Sequence, residues 1–200
     1  MDNNKLQVFA AADSNRPETT AEKKLYLAGP EVFAPDAAVK FEQLLALCAA
    51  HGLQGKAPVD GGLSSGAQPS PETAMRIYEG NIALIDECDA VAANISAFRG
   101  SEPDSGTCWE IGYAVAKGKP VVLYIDDSLT YAERVASTVG ALETEHGAVC
   151  KPHGWFVESM GLPANLMLAC STEGVFLRVE AAIEHLASFF AAAERVSSTN

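Results

Sequence analysis

Two carboxylates, six residues apart, are the side chains whose spacing most suggests chemistry. Asp104 and Glu110 lie in the segment 100–114, which joins a predicted strand to a predicted helix. A carboxylate near a helix N-terminus feels the positive end of the helix dipole, so it stays ionised and keeps a fixed rotamer. Such a group is suited to attack the anomeric carbon of a sugar. By analogy with glycosidases, a second carboxylate about 5–5.5 Å away favours double displacement with retention.

The same spacing also fits a purely structural interpretation. Thr107 and Glu110 have the spacing of a capping box, which would place Glu110 in the first turn of the helix. Asp104 or Ser105 would then satisfy other free backbone amides at the same helix end. Spacing alone leaves both interpretations open.

Other familiar signatures of chemistry are missing from the sequence. There is no GxGxxG after the first predicted strand, no GxxxxGK[ST] and no GxSxG. His146, Cys150 and His153 lie in one segment, but their spacing matches no common zinc pattern. We therefore expect neither a metal nor a cofactor.

The elements that must position these residues alternate between strands and helices. Ser70 is placed to cap a helix that starts at Pro71 and runs to about Glu87. Strands are predicted at 25–28, 90–95 and 120–125, helices at 36–50 and 106–117, and a strand end with a closing helix over 175–195. Residues 140–163 have an irregular pattern. The Gly/Ser-rich stretch 60–70 predicts a flexible loop that covers the site.

This alternation predicts an α/β fold in a single domain: a doubly wound, mostly parallel five-stranded sheet flanked by helices, Rossmann-like or flavodoxin-like. The domain spans 23–196, preceded by a mobile extension over 1–22 and followed by a tail over 197–200. Ligands of such sheets bind at the carboxyl ends of the strands, near the switch in strand order. The loops after Ala28, Ile95 and Ile125 are therefore the ones expected to hold a site.

Composition narrows the classes of partner. The chain of 200 residues is 48% hydrophobic, and its 26 acidic against 14 basic residues give a net charge of −12. This charge, without any basic run, disfavours nucleic-acid polymers but not a small neutral ligand. No apolar stretch is long enough to span a bilayer, no basic leader precedes the first apolar patch, and the five cysteines form no CxxC pair. We expect a cytoplasmic protein that binds no membrane.

Four blocks of sequence, in order over about 25–168, together resemble the nucleoside 2-deoxyribosyltransferases. Each block is weak alone, and the set is specific. The blocks are Leu25-Tyr26-Leu27-Ala28-Gly29-Pro30 with Phe33; Asn81 ahead of 88–94; 98–112 with Pro103-Asp104, Gly106-Thr107 and Glu110; and Gly161-Leu162-Pro163 with Asn165-Leu166-Met167-Leu168.

The resemblance implies three catalytic residues. Glu110 matches the nucleophile that attacks C1′ of the deoxyribose and forms a covalent deoxyribosyl-enzyme. Tyr26, at the end of the first strand, matches the tyrosine that hydrogen-bonds and orients this glutamate. Asp104 matches the aspartate that handles sugar and base and protonates the leaving base.

The resemblance also implies substrate-binding residues and an assembly. Phe33 is expected to form an aromatic wall for the base, Gly29 is expected to bind the substrate, and Asn81 stands where some members carry a base-reading aspartate. Asn165 and Met167 match residues that a neighbouring subunit contributes near the 5′-hydroxyl of the sugar. We therefore expect at least a homodimer with shared sites, acting on a 2′-deoxynucleoside and a free nucleobase.

Two other functions remain open from the sequence. A hydrolase of the same superfamily would use the same glutamate on 2′-deoxynucleoside 5′-monophosphates. Its 5′-phosphate would need hydroxyls or cations, whereas 165–167 offers one amide and apolar neighbours. A non-catalytic nucleoside-binding module would not need Glu110 and Asp104 together. The sequence does not distinguish purine from pyrimidine preference.

Overall fold

The structure, a computed structural model, describes residues 22–60 and 66–197. The extension predicted over 1–22 and the tail over 197–200 therefore lie almost entirely outside the described residues, as do residues 61–65 of the loop predicted over 60–70. The strands are β1 (Lys23–Ala28), β2 (Leu53–Lys56), β3 (Ala90–Asn94), β4 (Val121–Tyr124), β5 (Ala141–Thr144), β6 (Gly147–Cys150) and β7 (Gly174–Phe176). The helices are α1 (Ala37–Ala50), α2 (Pro71–Glu87), α3 (Ser105–Ala116), α4 (Tyr131–Thr138), α5 (Leu166–Ala169) and α6 (Val179–Ser197).

Five strands form one parallel sheet in the order β2-β1-β3-β4-β7. This order confirms the predicted doubly wound α/β fold of the flavodoxin-like type, with its switch point between β1 and β3. Strand β2 has no counterpart among the predicted segments. It is a short edge strand in which only Leu53 is buried, so it lacks the apolar run that marks the central strands.

The sheet packs a hydrophobic core on each of its two faces. Tyr26, Val91 and Leu123 face the side covered by α2 and α3, where they pack with Ile85 and Ile111. The alternate residues of the same strands face α1 and α6. Because side chains of a strand alternate between faces, Tyr26 is fixed on the α2/α3 side.

The start of α2 follows its sequence signals. The side chain of Ser70 accepts a hydrogen bond from the Thr73 amide at 3.1 Å, and Pro71 is the first helical residue. The helix ends at Glu87, which confirms the predicted span. This rigid segment carries Asn81 along the side of the sheet.

The prediction for residues 140–163 is wrong in part. Strands β5 and β6 form an antiparallel hairpin there, and α4 precedes it with a capping box between Thr130 and Glu133. Each hairpin strand has only four residues, and Ala148 is the single buried residue of β6, so neither shows the buried apolar run of a central strand. Their hydrogen bonds, rather than a hydrophobic pattern, define them.

The start of α3 also differs from its prediction. The helix begins at Ser105, and the side chain of Asp104 is its N-cap, accepting a hydrogen bond from the Thr107 amide at 2.9 Å. The capping box between Thr107 and Glu110 is therefore wrong, and Glu110 lies in the second turn instead of the first. Glu110 therefore does not cap this helix.

No helix within 22–60 and 66–197 is long and apolar enough to cross a bilayer. The same part of the chain contains no group of three or more His, Cys, Asp or Glu side chains arranged to hold a metal ion.

Candidate active site

The strand β1 and the helix α3 bring Tyr26 and Glu110 into contact. The Tyr26 hydroxyl donates a hydrogen bond of 2.6 Å to Oε1 of Glu110. Tyr26 is completely buried and lies two residues before the end of β1, somewhat deeper in the sheet than the sequence predicts. Burial, followed by the charge of Glu110, raises the pKa of this phenol well above its ordinary value, so it remains a donor.

The environment of Glu110 changes its acidity. Burial raises the pKa of the Glu110 carboxyl, the hydrogen bond from Tyr26 lowers it, and the charge of Asp104 raises it, with a result of about 7. Burial thus opposes the expectation that the helix terminus keeps this carboxyl ionised. A pKa close to neutral pH allows the carboxyl to change its protonation state in the physiological range.

Asp104 is held in place through one of its two carboxylate oxygens. Its Oδ2 accepts hydrogen bonds from the amide of Thr107 at 2.9 Å and from the hydroxyl of Thr107 at 3.1 Å. Thr107 is buried, so it fixes the carboxylate in one orientation. Among the described residues, no hydrogen bond involves Oδ1 of Asp104, which leaves this oxygen for a ligand or water.

A cavity of about 270 Å³ opens beside Glu110, between α2 and α3. Its lining combines aromatic, aliphatic and amide side chains: Tyr78, Asn81, Ile82, Ile85, Gly106, Trp109 and Glu110. This volume is at the small end for ligand sites, which range from about 300 to 1,000 Å³. The lining provides flat aromatic surfaces and one polar amide next to a carboxyl group.

Tyr78 and Trp109 are site residues that the sequence analysis does not identify. Their rings meet edge to face with centroids 5.7 Å apart, and Trp109 also stacks on Tyr113 at 5.3 Å. Both are about half exposed, at 52% and 47%. Their spacing in the sequence could have identified them. Tyr78 lies one helical turn before Ile82, on the same face of α2 as Asn81. Trp109 directly precedes Glu110.

Asn81 lies in this cavity with one end of its amide already occupied. The backbone amide of Val59, in the connection after β2, donates a hydrogen bond of 2.8 Å to Asn81 Oδ1. The structure thus brings together Tyr26, Asn81, Asp104 and Glu110, which come from one strand, two helices and a helix cap.

Gly29 and Phe33 follow β1 but do not line the cavity beside Glu110. A Cβ on Gly29 would lie 2.9 Å from Cβ of Asn94 and would also meet the carboxylate of Glu31, so glycine allows the close approach of these two side chains. Phe33 stacks on Phe98 at 5.3 Å and lines a separate cleft of about 640 Å³ toward α1 and α6. The base-wall role expected of Phe33 therefore has no support from the position of its ring.

Asn165 and Met167 lie away from the cavity of their own chain. The Asn165 side chain caps α5 by accepting a hydrogen bond from the Met167 amide at 3.0 Å, and it donates one of 2.9 Å to Glu158. Met167 is 70% exposed, whereas Leu168 packs against the core beside α3. In this short helix, Leu168 is thus anchored in the core, and Met167 is exposed on the outer side.

A buried arginine fixes the segment that carries Asn165. The guanidinium of Arg134 binds both carboxylate oxygens of Asp127, at 2.9 and 2.7 Å, and donates to the carbonyl of Pro163 at 2.7 Å. Only 4% of Arg134 is exposed. Two parallel charge-assisted bonds of this kind are strong and directional, so they hold 163–165 in place.

Known proteins resemble this chain in both sequence and structure. Residues 25–167 match the sequence profile of the family described as nucleoside 2-deoxyribosyltransferase. The 2-desoxiribosyltransferase from Leishmania mexicana is 33% identical in sequence and superposes with a TM-score of 0.66, over 83% of this chain and 97% of that one.

Two further matches extend the comparison. A 2-deoxyribosyltransferase from Bacillus psychrosaccharolyticus, 20% identical, covers 80% of this chain and 90% of its own with a TM-score of 0.51, which shows a shared fold. An uncharacterised protein of Schizosaccharomyces pombe is 40% identical over 116 residues, which is 56% of this chain. The match spans 54% of that protein, so the chain covers about half the length of this curated relative.

Proposed function

Because the chain belongs to the nucleoside 2-deoxyribosyltransferase family, we propose that it transfers 2-deoxyribose between nucleobases through a covalent intermediate on Glu110. The observation that carries the proposal is the hydrogen bond from the buried Tyr26 hydroxyl to Glu110, whose side chain also lines a cavity of about 270 Å³. The similarity to the Leishmania mexicana 2-desoxiribosyltransferase, over most of the length of that protein, supports deoxyribosyl transfer.

In the proposed first step, a carboxylate oxygen of Glu110 attacks C1′ of the deoxyribose. The bond between C1′ and the base nitrogen breaks, and its electron pair leaves with the base. The hydrogen bond from Tyr26 stabilises the ionised carboxylate and fixes its rotamer. Because the other carboxylate oxygen makes no hydrogen bond within the described residues, it is the natural nucleophile.

Asp104 assists the departure of the base in this proposal. Thr107 occupies its Oδ2, so Oδ1 handles the substrate, either directly or through a water that delivers the proton. Protonation makes the base a better leaving group. A second base then attacks C1′ from the vacated side, which restores Glu110 and gives net retention.

The base is assigned to the cavity between α2 and α3. Tyr78 and Trp109 offer aromatic faces and edges for packing against a heterocycle, and Asn81 offers hydrogen bonding. The deoxyribosyl-enzyme must react with a base instead of water, so the site must exclude water. The apolar side chains of Ile82 and Ile85 help to exclude it.

The shared site expected from the sequence remains part of the proposal. Asn165 is held by Glu158 and Met167 points outward, so α5 presents a polar group and an apolar one to a partner. In a two-fold homodimer, α5 of each chain would complete the site of the other near the 5′-hydroxyl. The net charge of −12 suits neutral nucleosides better than nucleotides.

Incubation of the protein with one 2′-deoxynucleoside and a different free base tests the activity. A new deoxynucleoside shows transfer, as we propose. Free deoxyribose, or its phosphate from a nucleotide, would instead indicate hydrolysis. An unchanged mixture would contradict catalysis and leave a binding function.

A further inference from the structure

The amide of Asn81 has a fixed polarity. Its contact with Val59 is made by a backbone N–H, which can only donate, so the amide oxygen of Asn81 must face Val59. The Nδ2 group, a donor of two hydrogen bonds, is then the end left for the cavity. Among the described residues, no hydrogen bond uses this Nδ2.

A glycine in the middle of α2 makes this contact possible. A Cβ on Gly80 would lie only 2.7 Å from Cγ2 of Val59. Glycine in a helix interior costs about 1 kcal/mol relative to alanine. The close approach of Val59 is therefore the physical reason for glycine next to Asn81.

We infer that Gly80 and Val59 set the polarity of Asn81, so that the cavity presents an amide donor and selects nucleobases bearing an oxo group over those bearing an amino group at the same ring position. The inference rests on the proposed function, because it places the base in the cavity beside Glu110. It deepens that function by naming the class of base and two positioning residues outside the reacting groups.

Hydrogen-bond pairing explains the selection. An oxo group accepts from Asn81 Nδ2, whereas an amino group would oppose one donor with another and leave both unpaired. The Asn81 oxygen keeps a second lone pair for a weaker, poorly aligned contact. We therefore expect a preference of about tenfold rather than complete exclusion.

Two matched pairs of acceptor bases test the inference: hypoxanthine against adenine, and uracil against cytosine. Within each pair an oxo group replaces an amino group at one ring position, and the adjacent ring nitrogen changes from a bare acceptor to an N–H donor. The ratio of kcat/KM within a pair, with one constant donor deoxynucleoside, should favour the oxo base about tenfold. Asn81→Asp, which presents a carboxylate oxygen to the cavity, should reverse the ratio.

Variants of Val59 and Gly80 separate the hydrogen bond from packing. Val59→Pro removes the donor N–H and should bring the ratio close to one, whereas Val59→Ala keeps the N–H and should keep the ratio. Gly80→Ala displaces Val59 and should also lower the ratio. The double variant Gly80→Ala/Val59→Ala relieves the clash, because Cβ of Val59 lies at an acceptable 3.9 Å, and should restore it.

A binding measurement provides a readout besides activity. The chain has two tryptophans, so Trp155→Phe leaves Trp109, at the cavity, as the single fluorophore. Quenching by the four free bases gives dissociation constants without turnover. These constants should show the same oxo preference and the same reversal in Asn81→Asp.

The outcomes distinguish this inference from the proposed function. Equal use of both bases, a preference for the amino base, or an unchanged ratio in Val59→Pro would overturn the inference while exchange itself stands. Oxo-selective binding without any exchange would support the inference and contradict the transferase. If no base binds and none is exchanged, both are overturned.

Discussion

The hydroxyl of Tyr26 lies 2.6 Å from Oε1 of Glu110 and links strand β1 to the second turn of α3. The donor is completely buried and the acceptor carries a pKa of about 7. This hydrogen bond therefore opposes the effect of burial on the pKa of the carboxyl and favours its ionised form. It makes the proposed nucleophile sensitive to a group that never reaches the substrate.

Replacement of Tyr26 by phenylalanine should shift the pH dependence of exchange. The hydrogen bond lowers the pKa of Glu110, so its loss raises that pKa. A hydrogen bond to a charged group contributes about 1.5–3 kcal/mol, which corresponds to about one to two pH units. The acid limb of kcat/KM against pH should move upward by that amount.

Tyr131→Phe is the matched control for that shift. The Tyr131 hydroxyl also donates to a glutamate, Glu102, at 2.7 Å, but at the protein surface. Its pH profile should coincide with that of the wild type. A profile of Tyr26→Phe that coincides as well would contradict the role assigned to Tyr26.

Glu110→Gln should abolish exchange and also change how stability depends on pH. The folded pKa of about 7 lies above the ordinary value of 4.5. Between these values the folded state binds more protons than the unfolded state, so the stability contribution of Glu110 falls as pH rises toward 7. The variant lacks this loss and should gain about 1–3 kcal/mol relative to the wild type between pH 5 and pH 8. Urea unfolding at both pH values measures the change, and a constant difference would refute it.

Two substitutions of Asp104 separate its two tasks. Asp104→Ala removes the N-cap of α3 and should cost about 0.5–2 kcal/mol of stability. Asp104→Ser retains a capping oxygen and should unfold within about 0.5 kcal/mol of the wild type. Both variants should lose at least about 100-fold in kcat, because neither has an acid. Full activity in Asp104→Ser would show that the residue is only a cap.

A mixing experiment examines whether sites are shared between chains. Glu110→Ala and Asn165→Ala should each be inactive alone. A hybrid dimer places both changes in one site and leaves the other intact, so activity should return on mixing, provided that subunits exchange. Fluorescence transfer between labelled chains verifies the exchange. Exchange without recovered activity would contradict the shared site, as would a fully active monomer at high dilution.

Much of the fold follows from local patterns in the sequence. The apolar runs of β1, β3 and β4 and the Ser70-Pro71 helix start are strong signals, because buried parallel strands and N-caps leave composition marks. Strand β2 and the β5–β6 hairpin leave no such mark. They are only four residues long, and β2 and β6 each contain a single buried residue.

The candidate site was predictable in part for a similar reason. The family resemblance identifies Glu110, Tyr26, Asp104 and Asn81, but the acidity of Glu110 depends on burial, which spacing does not give. The contact of Val59 with Asn81 joins residues 22 apart, and the aromatic lining from Tyr78 and Trp109 depends on how α2 packs on α3. Such relationships arise only from the tertiary structure.

The covalent intermediate on Glu110 is the central claim, and its direct capture tests it most sharply. The protein is mixed with a 2′-deoxynucleoside in the absence of acceptor base, quenched in acid within milliseconds, digested and analysed by mass spectrometry. We predict one deoxyribosyl adduct, on the peptide containing Glu110, which disappears when a free base is added before the quench. An adduct on another residue, or rapid base exchange with no adduct at any time, would contradict the account.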